Sequence, residues 1–158
     1  MPQADYEQWV QDQLQPAAEP ETAAELAVQE LFVNLCASCH LIEGVNDEGY
    51  DGAAQVSGAA PNLTHFASRG TYAGSIFNLW QDLDGDELIE IDEIRQQADR
   101  NQLEAWLRNP PGEKPLYAQG NRGMPDLGLS EADTAALPAS LLSLDKEPVA
   151  LMAIVAKP

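Results

Sequence analysis

Cys36, Cys39 and His40 form a Cys-x-x-Cys-His run that uses both cysteines of the chain. That spacing is the attachment signature for c-type haem. Two thiols three positions apart at a helix end lie on one face, so both can reach the vinyl groups of one porphyrin. The adjacent His40 is then held under the iron as its proximal ligand. A bound haem also adds a large apolar surface to the core, so the run constrains the fold more than any other feature. The two rival readings are poorly supported. A thioredoxin-type disulfide belongs in a βαβ context that the flanking sequence lacks. A zinc site needs more Cys or His than this chain carries.

The 158 residues suit one domain with extra length or an arm, and an apolar share of 44% can build a modest core. Against 26 acidic residues stand only 8 basic ones, a formal charge of −18. Such a surface repels nucleic acid and anionic membrane and favours cationic partners through electrostatic steering. A halophile-like or simply solvated acidic surface explains the same count. No stretch approaches the roughly twenty apolar residues of a membrane span; Val149 to Ala156 is far too short. Met1 is followed by polar and acidic residues instead of a basic start and an apolar run, so no secretory signal is expected. Haem c is attached outside the cytoplasmic membrane, which implies export by a missing segment or a piece of a longer protein.

Capping patterns divide the chain into helices. Asp5 to Leu14 reads as a short amphipathic helix, with Asp5 and Gln8 as its capping pair and Tyr6, Trp9, Val10 and Leu14 on one face. Pro16 to Pro20 is a linker. Thr22 and Glu25 form a capping box that opens a second helix through Cys36, with Leu26, Val28, Leu31, Phe32 and Leu35 as its apolar face. Leu41 to Pro61 is loop, and a short helix is expected from Ser75 towards Trp80. Asp99 and Gln102 open another helix, with Leu103, Trp106 and Leu107 inward, that stops before Pro110-Pro111. A Gly- and Pro-rich loop, 112–129, carries Met124. Ser130 and Asp133 cap a last helix carrying Leu137, Leu141 and Leu144, which Pro138 should kink or shorten. Strand patterns are scarce, and the expected class is all-α.

Met124, in Gly123-Met124-Pro125, is the candidate sixth ligand, opposite His40. A thioether there stabilises ferrous iron and suits electron transfer; packing alone is the bland alternative. His65 is the other histidine and could instead give a bis-His haem. The proximal imidazole needs its second nitrogen anchored, and the Pro61 carbonyl is the candidate acceptor. Arg69 and Trp106 are candidates to hydrogen-bond the haem propionates, although a tryptophan on a helix face is commonly core.

Longer stretches then become informative. Pro61-Asn62-Leu63-Thr64-His65-Phe66-Ala67-Ser68-Arg69, Leu103-Glu104-Ala105-Trp106-Leu107-Arg108-Asn109-Pro110, Lys114-Pro115, and the run from Gly120 to Ser130 together resemble the cytochrome c domain fused to subunit II of caa-type cytochrome c oxidases. The match covers roughly residues 21–144. Asp5 to Val10 also resembles the segment that follows that subunit's dinuclear copper domain, whose copper ligands are absent here. The resemblance implies a class I cytochrome c fold, covalent haem at Cys36 and Cys39, and axial ligation by His40 and Met124. It implies an arm and linker over 1–20, the cytochrome domain over 21–144, and a tail over 145–158. It further implies an electron carrier that is no enzyme by itself. Its partners would be the copper domain and catalytic subunit of a terminal oxidase, with a basic cytochrome or other electron donor. Its place would be the outer face of a bacterial cytoplasmic membrane, reached only through a missing anchor.

The chain departs from that family in four places. Ala59 and Ala60 precede Pro61, and Leu116 to Gln119 interrupt the approach to Met124. Pro138 and Ser140 stand where the last helix usually carries helix formers and an aromatic. The contact of first and last helices, with Phe32 against Leu141, is therefore expected to be loose. The largest departure is an insertion at about 80–98. Asp82, Asp84, Asp86 and Glu93 occupy positions one, three, five and twelve of an EF-hand pattern, with Ile89 at eight. Phe77 and Trp80 would belong to an entering helix and Ile94 to an exiting one. Glu87 takes position six, where glycine normally makes the sharp turn. Calcium at these carboxylates and a plain acidic insertion both remain open.

Three functions compete. The first is an electron-transfer domain of a terminal oxidase. The second is a free-standing exported cytochrome c shuttle. The third is a haem enzyme such as a peroxidase, against which a sixth ligand from Met124 argues because it fills the open position.

Overall fold

The computed structural model describes residues 2–47, 60–89, 93–117 and 123–145. Among the described residues the architecture is helix-rich, with one small two-stranded sheet. Helices α1 (Gln3–Gln13), α2 (Ala23–Leu35), α3 (Arg100–Arg108), α4 (Pro110–Glu113) and α5 (Glu131–Ser143) are joined by loops. Strands β1 (Thr71–Tyr72) and β2 (Phe77–Asn78) pair antiparallel, Thr71 against Asn78 and Tyr72 against Phe77.

The helix starts follow local chemistry. The Thr22 side chain accepts from the Glu25 N–H while Glu25 reaches back to the N–H groups of Glu21 and Thr22, a complete capping box. Ser130 and Asp133 repeat it at α5, and Asp99 accepts from the Gln102 N–H at α3. Helix α1 departs from expectation. It begins at Gln3 behind Pro2 with no side-chain cap, so Asp5 lies inside the helix instead of opening it. Its Tyr6, Trp9 and Leu14 stay exposed.

Helices α2 and α5 cross, and α5 also packs on α3 and on the 3-10 turn Phe66–Ser68. The core they enclose includes Phe32, Cys36, Phe66, Leu79, Trp80, Leu103, Leu107, Leu137 and Leu141. Leu26 and Leu35 fall outside it and are exposed, because the buried stripe of α2 centres on Phe32 with Val28 and Leu31 beside it. Pro138 neither ends nor shortens α5, which runs on to Ser143 with Pro138 buried. A cavity of about 210 Å³ lies at the α2–α5 crossing, lined by Phe32, Leu137, Ser140 and Leu141 among others.

One further expectation is corrected. No helix forms from Ser75 to Trp80: Ala73, Gly74 and Ser75 all adopt left-handed conformations, which turns the chain back into the β1–β2 hairpin. Helix α3 stops at Arg108, before Pro110-Pro111 as expected, but a second short helix, α4, begins at Pro110 itself. Proline suits a first helical position, and the Asn109 side chain accepts from the Gly112 N–H to start α4.

Candidate functional site

The residues after α2 close a tight turn. The N–H groups of Cys39 and His40 both donate to the Cys36 carbonyl, at 3.0 and 2.9 Å. Cys36 is buried, Cys39 exposed, and both thiols are free. Burial, with Cys39 adding to it, pushes the Cys36 thiol up to about 11.

The turn delivers His40 to the Pro61 carbonyl, with Nδ1 and the oxygen 2.8 Å apart. A carbonyl only accepts, so this contact requires the proton on Nδ1 and leaves Nε2 with a lone pair. Burial holds the His40 imidazole below its ordinary value; the Pro61 bond opposes this, and the nearby Arg69 charge adds to it. The ring is therefore kept in the neutral form a metal needs.

Sequence reasoning missed the residues that hold the Pro61 carbonyl in place. Thr64 is only 1% exposed. Its hydroxyl donates to Asn62 Oδ1 at 2.6 Å and accepts from the Glu43 N–H at 2.8 Å. Asn46 donates from Nδ2 to the His40 carbonyl at 3.0 Å and accepts from the Ile42 N–H at 2.8 Å. The Leu63 N–H donates to the Leu41 carbonyl. These bonds lace the loop after His40 to the segment after Pro61. The Asn-x-Thr of Pro61 to Thr64 is the one local signal that could have disclosed them.

Arg69 donates its guanidinium to the Asn62 carbonyl, one peptide beyond Pro61. Its own carbonyl accepts from the Trp80 indole N–H at 2.7 Å, a role for Trp80 that the sequence did not suggest. Trp106 is half-buried in an aromatic group with Tyr72 and Phe77, at ring-centre distances of 6.4 and 5.8 Å. Met124 is half-buried and packs against the cluster that contains Cys36. The run 118–122 before it lies outside the described residues. His65 is engaged elsewhere: its Nδ1 is 2.7 Å from Asp145, which also takes Arg95 at 3.2 Å.

These residues fit a covalent haem. Two unpaired thiols flank a turn, an anchored imidazole keeps its second nitrogen free, and a thioether lies against the same core.

In the insertion, ligand oxygens of Asp82, Asp84 and Asp86 lie within 4.8 Å of one another. Asp82 accepts from the N–H groups of Gly85 and Glu87, at 2.6 and 2.7 Å. Those two bonds hold its carboxyl below the ordinary range. Asp84 also accepts from the Asp86 N–H, yet crowding by Asp86, Glu93 and Asp82, together with desolvation, leaves it raised. Glu87 adopts φ +72°, so the sharp turn at position six is made without glycine. Glu93 is buried and accepts from the Leu83 N–H at 2.6 Å. The expected flanking helices are absent among the described residues. Phe77 lies in β2, Trp80 pairs with Ala98 in a β-bridge, and Ile94 falls in a turn. Residues 90–92 lie outside the described residues.

No protein-family model matches the chain, and no curated protein matches it. Among the described residues, no helix is long and apolar enough to cross a membrane.

Proposed function

We propose that the chain is a haem c electron-transfer domain of class I cytochrome c type. Cys36 and Cys39 would hold the porphyrin, and His40 and Met124 would ligate its iron. The observation that carries this reading is the His40–Pro61 bond, directly after the Cys-x-x-Cys turn. It supports a histidine prepared as a nitrogen ligand instead of a surface group. When bound, the haem supplies one reversible electron. The polypeptide's part is to fix the imidazole, exclude water and keep a soft sulfur available on the other side. Met124 against the core supports a closed coordination sphere over an open, peroxidase-like one.

The context we propose is subunit II of a terminal oxidase on the outer face of a bacterial cytoplasmic membrane. The electron would come from a basic donor and pass to a copper domain and then the catalytic subunit. The alternative is a free exported shuttle with the same haem. The net charge of −18 supports a cationic donor in either case.

Mass spectrometry of the chain matured with haem-attachment machinery tests the cofactor: the mass rises by one haem, whereas the bare polypeptide mass rejects the proposal. The oxidised spectrum then tests the ligands, through the thioether-to-ferric band at the red edge of the visible range.

A second metal reading is calcium at Asp82, Asp84, Asp86 and Glu93. The left-handed Glu87 favours it, because it supplies the turn that the EF-hand pattern requires. Calorimetry with calcium decides it: the absence of a binding heat leaves the insertion as acidic surface.

A further inference from the structure

Glu43 lies three residues past His40 and is half-buried. Its N–H, its carbonyl and its carboxylate are each engaged. The N–H donates to the Thr64 hydroxyl at 2.8 Å. The carbonyl accepts at 2.8 Å from the N–H of Ala17, in the linker before α2. Ala17 is 4% exposed and belongs to the core. Gly44 follows at φ +86°, and a Cβ there would come within 3.0 Å of Pro16 Cβ. Glycine at this one place lets the linker lie against the loop. The backbone of Glu43 is therefore held from both sides, and its carboxylate accepts from Asn62 Nδ2 at 3.2 Å.

That last bond has no ionic partner behind it. In a chain of net charge −18 the Glu43 carboxylate meets a neutral amide, and among the described residues no ion pair includes it. A carboxylate gains little by exchanging hydration for a single amide, so what the bond supplies is direction. Asn62 Oδ1 already accepts from the Thr64 N–H at 2.8 Å and from its hydroxyl at 2.6 Å. A backbone N–H can only donate, so the amide oxygen faces Thr64 and Nδ2 is left for Glu43. The Asn62 carbonyl accepts the Arg69 guanidinium. Asn62 is thus fixed at three points, and its backbone nitrogen shares one planar peptide with the Pro61 carbonyl. Holding Asn62 aims the oxygen that takes the His40 Nδ1–H.

We propose that Glu43 is a positioning residue for the iron ligand: its carboxylate, acting through Asn62, aims the Pro61 carbonyl at His40. This rests on the haem reading above. Firm donation from Nδ1 makes Nε2 the more basic ligand, which favours ferric iron. Glu43 thereby lowers the potential of the bound haem.

The test uses holoprotein and separates placement from charge. Glu43→Asp keeps the charge but draws the carboxylate back by one methylene, away from Asn62. Glu43→Gln keeps the reach and an acceptor but removes the charge. Exchange of the His40 Nδ1 proton with solvent, followed by NMR, requires the Pro61 bond to open. It should quicken about tenfold in Glu43→Asp and stay at the parental rate in Glu43→Gln. In Glu43→Asp the ferrous form should also gain about threefold, which is about 30 mV at 59 mV per tenfold. Should Glu43→Asp fail to mature, Glu43→Ala set against Glu43→Gln makes the same comparison at equal charge. Parental exchange in every variant overturns the proposal and leaves the haem reading standing. A potential that moves in Glu43→Gln and not in Glu43→Asp also overturns it, since Glu43 then acts on the iron only as a distant charge. A bare polypeptide mass for the parent chain instead removes the haem reading and this inference with it.

Discussion

His40 Nδ1 lies 2.8 Å from the carbonyl oxygen of Pro61, 21 residues away. The bond joins the end of the Cys-x-x-Cys turn to the loop that Thr64, Asn62 and Asn46 tie down, so the imidazole is oriented by a network and not by its neighbours in sequence. Met124, the proposed opposite ligand, is less constrained by the described residues, and it gives the most direct test. Met124→His should keep the covalent haem but abolish the thioether-to-ferric band and lower the potential, because a second imidazole favours ferric iron over ferrous. Spectroscopy and potentiometry on the same sample check it. A band that survives Met124→His would remove Met124 from the iron.

The acidic surface should govern encounter. With 26 acidic against 8 basic residues, a basic donor is drawn in over distances that salt screens, about 10 Å at 0.1 M ionic strength. Stopped-flow reduction by a basic cytochrome should slow about tenfold or more between low and high salt. Reduction by a small uncharged reductant should hardly change. Equal insensitivity for both would take steering out of the account.

The helix starts were legible because their determinants are local. Thr22 with Glu25, Asp99 with Gln102 and Ser130 with Asp133 each announce a helix within one turn. The His40 turn was legible for the same reason. What was hidden depends on long-range contact or on backbone a side chain does not announce. Ala73 and Ser75 adopt left-handed conformations with only Gly74 as a hint, so a hairpin read as a helix. Trp80 and Trp106 read alike, yet Trp80 spends its indole on Arg69 while Trp106 joins an aromatic group. Asp145, counted as the first residue of a tail, is a buried partner of His65 and Arg95.

Proton competition should mark the insertion if calcium binds there. Asp84 is raised and Asp82 lowered, so Asp84 protonates before Asp82 as the pH falls. Its neutral form cannot serve as an anionic ligand. Calcium affinity measured by calorimetry should therefore weaken from neutral pH towards the carboxylate range, with protons released on binding. Asp82→Ala should abolish binding, since Asp82 also fixes the loop through the N–H groups of Gly85 and Glu87.

The α2 capping box contributes a measurable acid dependence. Thr22→Ala removes the bond to the Glu25 N–H and should cost about 1 kcal/mol. Glu25 is held below its ordinary value chiefly by the Glu21 and Thr22 N–H groups. Its stabilisation is thus fully present above the ordinary carboxylate value of 4.5 and disappears as the pH falls through the lower folded value. Glu25→Gln should lose stability at neutral pH and flatten this part of the acid limb. Denaturant titrations from pH 3 to 7 read both effects, the range being set roughly by the ordinary carboxylate values.

Asp145 joins three parts of the fold through one carboxylate. Its side chain is 6% exposed, with His65 on one oxygen at 2.7 Å and Arg95 on the other at 3.2 Å. His65 comes from the segment after Pro61, Arg95 from the insertion, and Asp145 from just beyond α5. Asp145→Ala leaves two polar side chains facing an apolar gap, and the Arg95 charge without its partner. Breaking a buried pair from one side costs about 3–5 kcal/mol. His65 and Arg95 keep some solvent access, so the expected loss is about 2–4 kcal/mol. Asp145→Asn retains an acceptor for His65 and should cost less. Equal losses for the two variants would show that the carboxylate's charge, which both remove, and not the volume or the acceptor that Asn keeps, holds the C-terminal end of α5 against the loop after Pro61.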